Sequence, residues 1–126
     1  MRLEKALGER VLEVLTDPES RSIVNATLVP KTVLTLEVEL RMNRSTLYRK
    51  LHHLKECGLV MVDSYILKDD GKKEAMLTRT FAEVRAVAED HEMRIELVES
   101  ERALEKRWFE LFFSRRVEGH EHQPVV

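Results

Sequence analysis

The stretch Arg44-Ser-Thr-Leu-Tyr-Arg-Lys-Leu-His-His-Leu-Lys-Glu-Cys-Gly-Leu-Val60 decides how this chain is read. Leu47, Leu51 and Leu54 recur at spacings that put them on one side of a helix turning about 100° per residue. Asn43 stands before the run as an N-cap, and Gly58 stands where a left-handed residue closes a helix. A helix from Arg44 to about Glu56 follows. Opposite the leucines lie Ser45, Arg49 and His52, flanked by Tyr48 and His53. Residues 41–55 hold Arg41, Arg44, Arg49, Lys50 and Lys55 and not one acid.

Upstream, Leu3, Leu7, Val11, Val14 and Leu15 form a first helical stripe. Asp17 then caps a second helix with Pro18 at its first position, where a missing N–H costs nothing. Ile23, Val24, Thr27 and Leu28 are its expected buried face, and Pro30 is its stop. A shorter helix from Thr32 to about Leu40 carries Val33, Leu36 and Leu40, although its Val and Thr content also suits a strand. Arg41-Met-Asn43 is the tight turn into the fourth helix.

Downstream of Gly58 the period drops to two. Residues 59–67 and 74–81 are rich in β-formers, and Asp69-Asp-Gly-Lys72 between them is a strong hairpin turn. Residues 82–99 admit two readings. As strands, Val84, Ala86, Ala88 and Met93, Ile95, Leu97 fill one face, with Glu89-Asp-His-Glu92 as the turn. As a helix, the stripe through 81, 84, 85, 88, 91, 92, 95 and 98 is broken at Arg85, His91 and Glu92, although the Ala and Glu content favours helix. The second hairpin is the expectation. A last helix runs from the cap Ser100 to about Arg116, and residues 117–126 are expected to be a disordered tail.

Helix–turn–helix followed at once by a hairpin is an α+β winged helix, here with a second hairpin and a C-terminal helix. Leu15-Thr-Asp-Pro-Glu-Ser-Arg-Ser-Ile-Val24 resembles the helix entry of ArsR-type regulators, and Arg44–Val60 resembles their recognition helix and the start of their wing. The similarity spans about residues 11–81. It implies a dimeric transcription regulator. Residues 1–81 are then the DNA-binding region, and 82–116 a hairpin and dimerisation helix of the same domain.

The residues agree with that implication. Arg49 can make a bidentate contact to guanine, and Ser45, Thr46 and Tyr48 can donate hydroxyls to bases or phosphates. Arg41, Arg44, Lys50, His52 and His53 complete the helix set, and Lys68, Lys72 and Lys73 cluster at the wing turn. The Tyr48 ring can equally pack at the edge of the core. The net charge of −2 conceals a pattern. Residues 1–40 carry five bases and seven acids, 41–80 nine and five, and 81–126 seven and eleven. A basic centre between acidic flanks suits a local anionic partner, here double-stranded DNA.

Composition excludes much else. With 126 residues, 43% hydrophobic and 35% charged, the chain makes one ordinary domain. No apolar run reaches the ~20 residues of a membrane span, and no signal peptide opens the chain, so a cytoplasmic, nucleoid-associated protein is expected. Cys57, the single cysteine, excludes an internal disulfide and departs from the cysteine pair of metal-sensing ArsR proteins. His52 and His53 are adjacent and splayed, and His120 and His122 fall in the tail, so no metal or other cofactor is expected. No nucleophile–base–orienter set or phosphate loop can be assembled, and no enzyme activity is expected.

Four of the seven aromatic residues lie between 108 and 113. Leu104, Trp108, Leu111 and Phe112 form a stripe that Phe109 and Phe113 widen beyond one face. Such a surface marks an interface, and a homodimer is expected, with Leu3, Leu7 and Val11 of the first helix as the partner surface. A winged helix that docks a protein through its acidic C-terminal half is the competing reading. An effector pocket between the two hairpins and the last helix is compatible with either.

Overall fold

The computed structural model describes the backbone of residues 2–121 and the side chains of residues 2–112. Four helices come first: α1 (Lys5–Thr16), α2 (Pro18–Ala26), α3 (Val33–Leu40) and α4 (Arg44–Glu56). Two antiparallel hairpins follow, β1 (Val60–Leu67) with β2 (Lys73–Arg79) and β3 (Phe81–Ala88) with β4 (Met93–Glu99), then α5 (Glu101–Glu121). This is a winged helix–turn–helix with a second hairpin and a terminal helix. The helical alternative for 82–99 is excluded.

Four of the five helices begin on a side-chain cap; α1, preceded by Glu4, has none. The Asp17 carboxylate accepts the Ser20 N–H at 3.0 Å, with Pro18 first in the helix. Thr32 and Asn43 accept from Thr35 and Ser45 at 3.1 and 2.9 Å, and Ser100 Oγ accepts from Ala103 at 3.1 Å. Gly58 follows α4 at φ 73°, and the wing turn closes with Gly71 at φ 82° after a Gly71-to-Lys68 hydrogen bond of 2.9 Å. Arg41 itself takes a left-handed φ of 51° to end α3.

The core joins Val11, Ile23, Val24, Leu36, Leu47, Leu51 and Leu54 to Leu59, Val60 and Leu77 from the foot of the wing. Met42, within the turn, is also buried. Leu28 is not: it is 57% exposed. The reason is that α2 ends at Ala26, and Thr27 is committed to the wing, its carbonyl accepting Arg79 N at 2.9 Å and Thr78 Oγ1 at 3.0 Å. The chain then turns outward before Lys31 forms a two-way backbone pair with Leu77, at 2.9 and 2.7 Å. Leu28 falls on that excursion.

Two bulges shape the hairpins. In the first, the register shifts between Val62 and Ser64, and in the second between Phe81 and Glu83. The second shift lets Phe81 share the core with Val84 despite their odd spacing. Register places Val84, Ala86 and Ala88 opposite Leu97, Ile95 and Met93 on one face, as the alternation required. Only Ile95 and Leu97 are buried there, because α1 covers β4 and leaves Ala86, Ala88 and Met93 exposed. Gly8 makes that approach possible, since a Cβ on it would stand 3.1 Å from Ile95 Cγ1. Leu3 lies before α1 and donates its N–H to the Ile95 carbonyl at 2.9 Å.

Helix α5 extends to Glu121, beyond the expected end near Arg116. The remaining tail, 122–126, lies outside the described residues, as do the side chains of Phe113 and His120. Among the described residues no helix is long and apolar enough to cross a membrane.

Gly58 gives the fold a direct test. Nothing lies within 4 Å of a Cβ built there, so Gly58→Ala isolates backbone strain from packing. Denaturant unfolding should show a loss of about 1–2 kcal/mol, the cost of a left-handed Cβ.

Candidate nucleic-acid interface

Burial of Leu47, Leu51 and Leu54 fixes which side of α4 faces out. Ser45, Tyr48, Arg49, His52, His53 and Lys55 are exposed, Thr46 is half-buried, and Arg41 is exposed at the turn. Tyr48 is 54% exposed, so its ring stands clear of the core edge it was free to join. Ser45 donates its hydroxyl to the Asn43 side chain at 2.7 Å and so helps cap the helix. His52 Nε2 lies 2.6 Å from Glu56 Oε1 one turn on, and the His52 and His53 rings sit edge to face, 6.2 Å apart.

Two of the expected basic residues are engaged elsewhere. Lys50 turns back to α2, 2.8 Å from Asp17 Oδ2 and 3.9 Å from Glu19 Oε1, with only 17% of its side chain exposed. At that position its ammonium ties α4 to the start of α2. Arg44 Nε donates to Glu37 Oε2 at 3.0 Å while remaining largely exposed at the start of α4. None of these partners was legible in the local pattern, because the three acids lie at the start of α2 and in α3.

The wing turn is balanced in charge. Lys68, Lys72 and Lys73 alternate with Asp69, Asp70 and Glu74, and Lys68 Nζ lies 3.9 Å from Glu74. Asp70 accepts from the Lys72 N–H at 2.9 Å. All three lysines are exposed.

The surfaces expected to pair divide sharply. Trp108 is 72% exposed, and Leu104, Phe109, Leu111 and Phe112 are exposed with it. Val11 is 0% exposed, and Leu3 and Leu7 pack against the same core. Val11 is therefore closed inside its own subunit, while Leu3 and Leu7 are part-buried against it and leave α1 less aliphatic surface than the stripe of α5. Helix α5 is tied at its base to the first bulge: Arg102 Nη1 donates to Asp63 Oδ1 at 3.1 Å, and Lys106 Nζ donates to the Val62 carbonyl. Arg107 pairs with Glu99 on β4. The cleft between the hairpins and α5 is about 360 Å³, lined by Met61, Thr80, Leu97, Ala103 and Lys106 among others.

Cys57 is half-buried against the core, and no group of three metal-ligating side chains occurs among the described residues. No family model matches the chain, and no curated protein matches it. Among solved structures it is similar to the Vibrio cholerae ferric uptake regulator, a protein with DNA-binding domains. The match is 19% identical and covers 90% of this chain and 81% of that one, with a TM-score of 0.32. An overlay this loose sets no residue correspondence.

The Asp17–Lys50 pair carries a pH signature. Hydrogen bonds from Lys50 and Ser20 hold the Asp17 carboxyl down from its ordinary 3.8 to about 2. A carboxyl depressed on folding stabilises the fold above its unfolded value, and that contribution is lost as pH falls from 3.8 through about 2. Asp17→Asn, which keeps a cap acceptor, should flatten stability against pH across this window. Asp17→Ala should in addition lose about 1 kcal/mol at neutral pH, measured by urea unfolding.

Proposed function

We propose that the protein is a sequence-specific, duplex-DNA-binding transcription regulator acting as a homodimer. One observation carries this reading. The outward face of α4, the second helix of the helix–turn–helix, is exposed, acid-free from 41 to 55 and rich in groups that read base edges. Arg49 is the base-reading residue of the proposal, with Ser45, Thr46 and Tyr48 beside it. Arg41, Arg44 and Lys55 serve the flanking phosphates, with Lys72 and Lys73 from the wing.

The dimer is built by α5. Its Trp108, Phe109, Leu111 and Phe112 surface is large and aromatic, the composition of an interface centre. With Val11 buried and Leu3 and Leu7 part-buried on their own core, the complementary surface of the proposal is the same stripe on a second copy, a self-paired helix contact about a two-fold axis. Two recognition helices then address successive major grooves. The same aromatic surface would also suit a winged helix that docks another protein, the reading that follows if duplex DNA is not bound.

Duplex binding across a salt series is the primary experiment. Affinity for genomic fragments should fall steeply with salt, with a log–log slope of several units from about three to five phosphates per protomer. Absence of binding at low salt would refute the proposal.

Two substitutions separate reading from attraction. Arg49→Ala should cost about 1–3 kcal/mol at the preferred site and little on random duplex. Glu37→Gln, which frees Arg44, should strengthen binding to random and preferred duplex alike and steepen the salt slope by up to about one unit. Equal loss on both duplexes for Arg49→Ala would make Arg49 a phosphate contact.

Replacing Trp108 and Phe112 by Ala should give a folded monomer that has lost tight binding. Sedimentation of both forms checks this, and a wild type that is monomeric at tens of micromolar would overturn the dimer.

A further inference from the structure

We infer that the outer edge of β3 docks the same edge of a second copy, the two strands pairing antiparallel about a two-fold axis on Val84. The contact is separate from α5, and it does not rest on the nucleic-acid reading.

An edge strand offers its unpaired N–H and C=O groups to any strand that approaches, and three of the four strands are blunted against this. Leu3 covers β4, donating its N–H to the Ile95 carbonyl at 2.9 Å. Lys31 covers β2 through its two-way pair with Leu77. A bulge breaks β1, and Lys106 takes its Val62 carbonyl. Among the described residues nothing of this kind covers β3. It is eight residues long, holds no proline or lysine, and has its bulge at its start.

The hairpin turn fixes which groups face out. Glu89 N donates to the Glu92 carbonyl at 2.8 Å, so these two are a hydrogen-bonded pair. Alternation then aims the backbone groups of Glu83, Arg85 and Val87 at β4 and those of Val84, Ala86 and Ala88 outward. The Ile95 carbonyl, opposite Ala86 and turned to Leu3, obeys the same alternation on the other strand.

Charge selects a second copy as the occupant. Glu83 and Arg85 lie on one face, 3.1 Å apart and exposed. With the axis on Val84, Glu83 stands opposite the partner's Arg85, and Arg85 opposite the partner's Glu83. Both are non-hydrogen-bonded positions, where cross-strand side chains come closest. Every neighbouring register loses this. An axis on Glu83 or Arg85 sets that residue against itself, one on Ala86 sets Glu83 against Glu89, and one on Ala82 sets Arg85 against Arg79. On the opposite face Val84 meets Val84, with Leu97 beside it, and extends the apolar layer that α1 covers. Two strand edges bury less than the ~1,200 Å² of a standard interface, so free copies pair only at high concentration. At tens of micromolar the contact is empty and leaves the α5 dimer to be measured alone.

Sedimentation equilibrium of the full chain up to about 1 mM tests this, with an association step expected on the order of hundreds of micromolar. Arg85→Glu and Glu83→Arg should each weaken that step about tenfold, because each sets like charges opposite one another twice. An equimolar mixture of the two variants should restore it. Replacing Trp108 and Phe112 by Ala should leave it in place, so loss of the α5 dimer and loss of the β3 contact are separately visible. In the wild type, amide exchange at Val84 and Ala86 should slow as concentration rises, while Glu83 and Arg85, bonded to β4, stay protected throughout. No step by 1 mM, a mixture no stronger than either variant alone, or Val84 and Ala86 amides indifferent to concentration would overturn the pairing.

Discussion

The carbonyl oxygen of Thr27 is the point on which the two halves of the molecule meet. It accepts the Arg79 N–H and the Thr78 hydroxyl, while Thr27's own hydroxyl returns to the Ile23 carbonyl at 2.8 Å. All of this is buried, so the polar groups must be satisfied internally or not at all. Four residues on, Lys31 exchanges both backbone hydrogen bonds with Leu77. The α2–α3 connection thereby becomes a third, one-residue strand beside β2. The helical unit and the wing cannot rotate against each other without breaking these bonds, so the outward face of α4 and the wing turn are held in one frame.

The acids of α2 and α3 refine that frame electrostatically. Asp17 caps α2 and grips Lys50, so one carboxylate fixes both a helix start and the roll of α4. Lys31, half-buried at the connection, is held by Glu39 at 2.7 Å, which lets a cation sit next to the wing strand. Glu37 restrains Arg44 at the surface. Such pairs contribute little to stability where exposed. Their larger effect is on the field: they subtract positive charge around α4 and leave Arg49, with its hydroxyl neighbours, and Arg41 at the turn as exposed guanidinium groups with directional hydrogen-bonding capacity.

Local features were legible in the sequence, and relations between distant segments were not. Asp17-Pro18, Asn43, Ser100, Gly58 and Asp70-Gly71 each encode an element boundary through the conformations and hydrogen bonds of a few adjacent residues, and each boundary stands where expected. The hairpin of 81–99 was legible only through alternation, against an Ala- and Glu-rich composition that speaks for helix. A helical stripe tells that Leu7 and Val11 face inward but not how completely: Val11 is buried, while Leu7, like Leu3 ahead of the helix, is part-buried. Leu28 satisfied the stripe of α2 by spacing, yet the capture of Thr27 by the wing ended the helix first. Lys50 found Asp17 across 33 positions, a contact no periodicity contains. Bulges carry no sequence signal of this kind either, and both alter which side chains face the core.

The first bulge has the widest reach of these unread features. By adding a residue at Asp63 it turns that carboxylate toward Arg102, and it leaves the Val62 carbonyl for Lys106. Both contacts come from successive turns of α5, so the helix leaves the body at an angle set by the wing. Only its first turns are involved, with Ala103 buried beneath them, while Trp108 and Phe112 project beyond. The rigid chain of contacts therefore runs from α4 through Leu59 and the wing to α5. Any surface that α5 presents to a second copy is geometrically coupled to the α4 face through that chain, and the wing that flanks α4 is also the bracket that aims α5.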